Sequence, residues 1–447
     1  ATRLMAEELS GPASARGAAR GMLRRLLAAG LVLGLFAAAL QLTTADLAAR
    51  LWLGDVRAVG ALRVSALGMP WMAVSAVLRG FFIARRHVAP NVFSQLTEQT
   101  VRIALVALAL TRTEGLAVGV RCMLVLGATA VSEAVSALCM LAFYRRDARS
   151  AFAGQKAVRP ADPARRLWEI LWPVEGGRCL ASALHTAENM LVPACLALAL
   201  GAEGGRDAAV AQYGSLKGMA LPLLSFPFGL LGSLSVLLMP EITQAHIRGE
   251  TARLQALIDR MLRLTGYFSA LAGAVFWVLG CPLAQTLYHS PEAGFYLEVL
   301  GPAMPLLYFE SMVDGAMKGM GEQKAAFRYS VWDSILRIVG VVLLLPRYGM
   351  PGFLFVILVS SCYTCLANTG RLLASSETKL RLWRWLGAPM LASAGAAAVG
   401  VALRQGLAGW FTGVLLPRLG ALALCAGGMS AVYLVAAWPL GLGEEVR

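Results

Sequence analysis

The sequence predicts an all-α integral membrane protein built from two similar halves. Its mean hydropathy is +0.64 and only 15% of its 447 residues are charged, too few to cover a soluble protein of this length. Apolar segments of roughly 20 residues recur, each long enough to cross about 30 Å of hydrocarbon. Because no water can bond the backbone amides there, each segment is expected to be a helix.

Charged motifs recur at a spacing of about 235 residues, which indicates the two halves. Leu78-Arg79-Gly80 matches Val313-Asp314-Gly315, and the stretch 98–103 matches 333–338. Ala6-Glu7 likewise matches Pro240-Glu241. Duplicated halves that meet around a central site are typical of secondary transporters. The first half lacks counterparts for two helices of the second, so we expect two further helices ahead of the sequence given.

Twelve membrane helices are predicted in chain order. Residues 1–25 form a polar connector that lacks the pattern of a secretory signal. The predicted spans are 26–46, 60–83, 92–111, 116–143, 168–200, 212–240, 262–285, 296–320, 326–345, 350–373, 385–404 and 417–438.

The polar stretch 145–166, rich in Arg and containing Pro160 and Pro163, falls where the repeat places the junction between halves. We therefore predict an N-terminal lobe over 1–144, a linker over 145–166 and a C-terminal lobe over 167–380. Residues 381–447 supply two additional helices without repeat partners. Their Ala-, Gly- and Leu-rich composition indicates a structural appendage or a lipid-facing groove.

Loop charge gives the orientation. Alternate loops, including the linker, carry most of the 40 Lys and Arg, so they are predicted to be cytoplasmic. This asymmetry and the anionic lipid headgroups account for the net charge of +14. Nucleic acid is not an expected partner, because no basic face with interleaved aromatic residues is present.

The sequence lacks the signatures of common enzymes. It contains no Gly-Lys dipeptide, H-E-x-x-H or G-x-S-x-G, which argues against an ATPase, a zinc hydrolase or a serine hydrolase. The eight Cys lie in apolar stretches, and Cys362-x-x-Cys365 has no second pair or His nearby. We predict a transporter, with no cofactor and no metal site.

Ionisable residues inside the predicted helices are costly and mark the candidate site. Glu98 and Arg102, like Asp333 and Arg337, lie four positions apart with the carboxylate first, the spacing of a helical ion pair. We predict structural pairing, with a cavity-lining role as the alternative. Arg79 and Asp314 are repeat equivalents of opposite charge. They could contact each other, or each could serve its own half.

A further polar stripe lies on the fifth span. The candidate residues of a substrate cavity are Arg178, Glu188, Asn189, Lys217, Arg79 and Asp314. Lys217 belongs to a helix interrupted by Pro222 and Pro227, and broken helices with inward charges are typical of transporter sites. Lys217 and Arg178 are predicted to bind an anionic head group. Alternatively, Glu188 or a carboxylate of another helix neutralises them.

The stretch Tyr213-Gly214-Ser215-Leu216-Lys217-Gly218-Met219-Ala220-Leu221-Pro222 resembles the eighth helix of stage V sporulation protein B–like members of the multidrug/oligosaccharidyl-lipid/polysaccharide (MOP) flippase superfamily. Leu238-Met239-Pro240-Glu241-Ile242 and Leu78-Arg79-Gly80-Phe81-Phe82 extend the resemblance, which covers most of residues 1–380. It implies a two-lobed bundle like that of the MATE transporters, with fourteen helices and alternating access. About twelve of the fourteen helices are present in the sequence given.

The resemblance implies a multi-pass protein of the bacterial plasma membrane. The expected function is a flippase for a polyprenyl-linked saccharide, such as a lipid II-like precursor of peptidoglycan or another polysaccharide. Expected partners are this substrate, membrane lipids and proteins of cell-wall synthesis. A cation-coupled multidrug antiporter of the same fold is one alternative, and a non-transporting membrane scaffold is another. Arg79, Arg178 and Lys217 among the acidic residues favour an anionic lipid pyrophosphate.

Overall fold

The structure is a computed structural model that describes residues 16–85, 87, 89–113, 115–151, 163–201, 205–411 and 415–442. Within these ranges every regular element is a helix, which confirms the all-α prediction. The α-helices are α1 (Arg16–Leu47), α2 (Val59–Ala66), α3 (Met69–Ala84), α4 (Ala89–Thr111), α5 (Val118–Ala151), α6 (Pro163–Leu200), α7 (Gly205–Ser215), α8 (Leu221–Ser225), α9 (Phe228–Ile247), α10 (Thr251–Tyr288), α11 (Pro291–Leu300), α12 (Met304–Gly319), α13 (Gln323–Ser376), α14 (Ala388–Gly406), α15 (Ala408–Phe411) and α16 (Leu415–Ala437).

The chain separates into two compact units, residues 1–174 and 175–447. In unit 1, α3 packs against α1 and α5 around an apolar core that includes Met22, Phe81, Phe82 and Met140. The predicted linker falls partly outside the described residues, since nothing between 152 and 162 is described. The predicted lobe boundaries therefore stay predictions.

Unit 2 is organised around α10, which packs against α11, α12, α14 and α16. The last long helix, α16, docks on α10 through a tyrosine pair. The Tyr433 hydroxyl donates to the carbonyl of Tyr267 at 2.7 Å, and the Tyr267 hydroxyl donates to the carbonyl of Leu440 at 2.7 Å. Because both hydroxyls are satisfied inside an apolar core, α16 is fixed to α10 at this point.

Helices α3 and α12 lie at the spacing of the sequence repeat. Met69–Ala84 and Met304–Gly319 each contain 16 residues, and each has a proline, Pro70 or Pro305, at its second position. Proline is favoured in the first turn because the amide it lacks has no helical partner there. The matching start and length make these helices equivalent elements of the two units.

The turns that precede the equivalent helices also correspond. Gly54 and His289 both adopt left-handed backbone, with φ of 55° and 53°. The next residues, Asp55 and Ser290, are N-caps whose side chains accept a backbone N–H at the start of the following helical segment. The same backbone path is therefore built from different residues in each unit.

Each of the twelve predicted spans falls on helix. By length and apolar composition, seven helices of the described residues can cross a membrane, or eight if the pair bent by 42° between α2 and α3 is one span. The numbers differ for three reasons. The spans 326–345 and 350–373 share α13, which bends at Gly349, and the spans 212–240 and 296–320 consist of short helices. The span 92–111 lies on α4, which is long enough but not sufficiently apolar. The protein is a multi-pass membrane protein, and its number of crossings stays a prediction.

Candidate functional site

Four charged side chains from three helices meet in unit 1. Arg79 on α3 and Arg102 on α4 each place a guanidinium nitrogen 2.7 Å from a different oxygen of Glu98. Arg102 also reaches Glu133 on α5 at 3.3 Å. Two cations thus face two carboxylates, and we call Arg79, Glu98, Arg102 and Glu133 the unit 1 cluster.

Hydroxyl groups on α5 add hydrogen bonds to the unit 1 cluster, although the buried Nε of Arg79 has no partner among the described residues. Ser132 accepts from Nε of Arg102 at 3.3 Å, and Ser136 accepts from Arg79 at 3.1 Å. Ser136 is further joined to Ser94 at 2.8 Å. The predicted pair of Glu98 and Arg102 is present, but it belongs to a network that ties α3, α4 and α5 together. Arg79, predicted for the cavity, is one member of that network.

An equivalent cluster lies in unit 2. Nε of Arg337 is 3.2 Å from Asp333 and donates to the Ser360 hydroxyl at 2.6 Å, and that hydroxyl donates to Asp333. Arg337 Nη1 lies 3.5 Å from Glu188, which α6 supplies. We call Glu188, Asp333, Arg337 and Ser360 the unit 2 cluster. The predicted pair of Asp333 and Arg337 is therefore present, and its link to Glu188 was not predicted.

Neighbouring residues of α6 serve different partners. Glu188 is buried against Arg337, whereas Asn189 is exposed and accepts from Nζ of Lys217 at 2.6 Å. Successive side chains of a helix point about 100° apart, so the carboxylate of Glu188 and the amide of Asn189 point in different directions. Glu188 is accordingly engaged by Arg337.

Lys217, Asn189 and Tyr213 form a polar triad in unit 2. Tyr213 donates to Asn189 at 2.8 Å, and Lys217 Nζ lies 3.3 Å from the Tyr213 hydroxyl. The Tyr213 ring packs edge-on against Phe353, which fixes its position. In the described part of the chain, the hydrogen bonds of the Lys217 ammonium go to neutral oxygens. We call these three residues the Lys217 triad.

The backbone around Lys217 is irregular. Lys217 lies in a π-helical turn, Leu216–Ala220, between α7 and α8, and π turns inside helices are frequent at functional sites. The interruption predicted from Pro222 and Pro227 is present, because α8 ends at Ser225 and α9 begins at Phe228. Tyr308 donates to the carbonyl of Leu224 at 2.6 Å and satisfies it beside this break.

The remaining predicted residues have partners of their own. Asp314 pairs with Lys318, one turn later on α12, just as Arg79 pairs within unit 1. Arg178 is exposed on α6 and takes part in an interaction, and its binding of an anionic head group stays a prediction.

No family model matches the chain. Stage V sporulation protein B of Bacillus subtilis is 26% identical over 327 residues, 72% of this chain and 62% of the relative. Sporulation protein YkvU of the same organism is 32% identical over 193 residues, 43% of each protein. The chain thus spans less than two thirds of the length of either curated relative.

Solved structures show the same fold. The inward closed conformation of the lipid II flippase MurJ matches 100% of this chain and 91% of its own, with a TM-score of 0.71 and 12% identity. An inward-facing MATE family multidrug resistance transporter of the MOP superfamily matches 84% of this chain and 86% of its own, with a TM-score of 0.66 and 14% identity. The chain is thus a homologue of stage V sporulation protein B and YkvU with the fold of the MOP superfamily, as the resemblance implied.

Proposed function

We propose that the protein is a flippase that translocates a polyprenyl-linked saccharide, such as a lipid II-like precursor, by alternating access. The observation that carries the proposal is the Lys217 triad. Its ammonium is exposed on a broken helix and is hydrogen-bonded by neutral oxygens in the described residues. A cation at membrane depth that no carboxylate neutralises keeps its charge for an anionic ligand.

The triad suits a pyrophosphate head group. Asn189 and Tyr213 hold the ammonium by accepting from it, which orients the charge without cancelling it. A phosphate oxygen would gain a charge-assisted hydrogen bond from Nζ. The structural match to a lipid II flippase and the homology to sporulation proteins agree with a substrate of the cell envelope.

Substitutions at Asn189 test this role of charge directly. Asn189→Asp places a carboxylate beside Lys217 and should abolish complementation of a strain that lacks its lipid II flippase, because the ammonium is then neutralised. Asn189→Ala leaves the charge free and should retain partial function. Lys217→Ala should abolish function, and Lys217→Arg should keep part of it. Membrane levels of each variant are measured by immunoblot.

Lys324→Ala is the matched control, since Lys324 is an exposed lysine in the first turn of α13, away from the triad. It should complement fully. Full complementation by both Lys217→Ala and Asn189→Asp would contradict the proposal. Loss in all variants together with the control would point to a general defect of folding or insertion.

A cation-coupled multidrug antiporter is the second candidate. The unit 2 cluster favours it, because Glu188 and Asp333 supply two carboxylates against the single guanidinium of Arg337. Drug efflux that depends on a Na⁺ or proton gradient and survives Lys217→Ala would select this function. Loss of complementation without any such efflux would select the flippase.

A further inference from the structure

One end of unit 2 contains a cavity of about 520 Å³. It lies where α10 ends, α14 ends and α16 begins, and its lining includes Gln285, Thr286, Arg404, Phe411 and Arg418. The positive-inside rule assigns this end to the outside, because the opposite end of α10 belongs to a basic loop. The volume is in the range of small-ligand sites.

Two arginines face this cavity. Nε of Arg418 is buried and has no hydrogen-bond partner, and no carboxylate pairs with Arg418 within the described residues. Arg404 donates to the carbonyl of Val278 at 2.8 Å and lies 3.6 Å from Glu298. The two guanidinium groups thus have one carboxylate, Glu298, between them. A buried donor without a partner, such as Nε of Arg418, costs free energy.

A tryptophan beside the cavity lining is typical of the level of the lipid headgroups. Trp410, beside Phe411 on α15, is half exposed, and tryptophan is enriched where membrane meets water. Basic residues are scarce among the loops assigned to this side, yet two of them line one cavity. Arginine binds phosphate and carboxylate groups through paired N–H groups.

We propose that this cavity binds the phosphate group of an anionic compound, with Arg418 and Arg404 as the anion-binding groups and Phe411 as part of an apolar wall. The source is either the headgroup of an anionic membrane lipid or a free phosphate. The proposal does not depend on flippase activity. It assigns the end of the additional helices a binding role beyond their packing against α10.

The test uses the purified full chain in phosphatidylcholine nanodiscs. Phosphatidylglycerol, additional phosphatidylcholine and inorganic phosphate are supplied separately, and thermal unfolding and lipid adducts in native mass spectra are measured. Phosphatidylglycerol should raise the Tm of the wild type and remain bound. Arg404→Gln with Arg418→Gln should weaken that binding about tenfold or more. Arg418→Lys should retain part of it.

The single variant Arg418→Gln separates loss of binding from misfolding. Arg418 makes no interhelical bond like that of Arg404 to Val278, so its replacement removes no such contact. Arg347→Gln, an exposed arginine assigned to the same side but outside the cavity, is the control and should bind like the wild type. Stabilisation by inorganic phosphate that the double variant loses would identify a free phosphate as the source. Equal lipid binding by wild type and double variant, or no response of the wild type to either phosphate compound, would overturn the proposal.

Discussion

Arg337 and Lys217 are both cations of unit 2, but their surroundings give them different roles. Arg337 satisfies two carboxylates and a serine hydroxyl on other turns and helices. Lys217 is held by an amide and a phenol oxygen. Removal of Arg337 therefore leaves buried negative charge behind, whereas removal of Lys217 leaves only neutral groups.

We expect Arg337→Met to lower the free energy of unfolding by about 3–5 kcal/mol, because it leaves Glu188 and Asp333 unpaired. Lys217→Met should cost less than about 1 kcal/mol, as typical of exposed positions. Thermal unfolding in detergent measures both. Adding Asp333→Asn to Arg337→Met should restore part of the loss, and equal destabilisation by the two single changes would contradict the assignment.

In unit 1, neutralising the carboxylate together with its arginine should restore less stability than in unit 2. Glu98 is shared by Arg79 and Arg102, so neutralising both Glu98 and Arg102 leaves Arg79 without its carboxylate.

Sequence spacing was sufficient to predict each pair four positions apart, because both members lie on one helix. It could not predict Glu133, Ser136 or Glu188 as further partners, because these arrive from other helices through tertiary packing.

At the scale of elements, the close approach of α10 to the π-helical turn Trp383–Gly387 depends on Gly266. A Cβ added at Gly266 would lie 1.8 Å from the carbonyl oxygen of Trp385, a distance no structure tolerates. Trp385 is fully buried, and its indole donates to Asp259 on α10 at 2.8 Å. The start of the additional helices is thus held against α10 by Gly266 and Asp259.

Gly266→Ala should therefore displace the turn before α14 and lower the Tm by several degrees or more, in line with overpacking costs of about 1–3 kcal/mol. Gly395→Ala is the control, because nothing lies within 4 Å of its added Cβ. That change sits inside α14 and should leave the Tm unchanged or raise it slightly. Equal behaviour of the two variants would argue against the close contact.

The helical spans were largely predictable, since apolar segments of membrane length have few other solutions. The breaks were predictable where proline marks them, as at Pro222 and Pro227. The π turn that holds Lys217 was not, because no residue type requires it and neighbouring helices decide it. The same is true of the bend of α13, where Gly349 adopts φ of 59° and ψ of −144°.

At the scale of the whole molecule, the distribution of Lys and Arg predicts which ends face the cytoplasm. A reporter fused near Lys156 should read as cytoplasmic, and a fusion at Leu407, between α14 and α15, should read as external. Alkaline phosphatase and green fluorescent protein fusions report the two sides. The reverse pattern would overturn both the orientation and the outward position of the arginine-lined cavity.

The duplicated backbone also shows how the two halves diverged. Arg79 and Asp314 occupy equivalent positions of α3 and α12, and Lys318, which pairs with Asp314, stands where the first half has Ile83. The copy with the carboxylate thus has its counter-ion one turn away on the same helix. The copy with the guanidinium instead pairs with Glu98 on a neighbouring helix. Duplication of this kind lets each half exchange the charge of one helix independently while the inherited geometry of its turns and caps is retained.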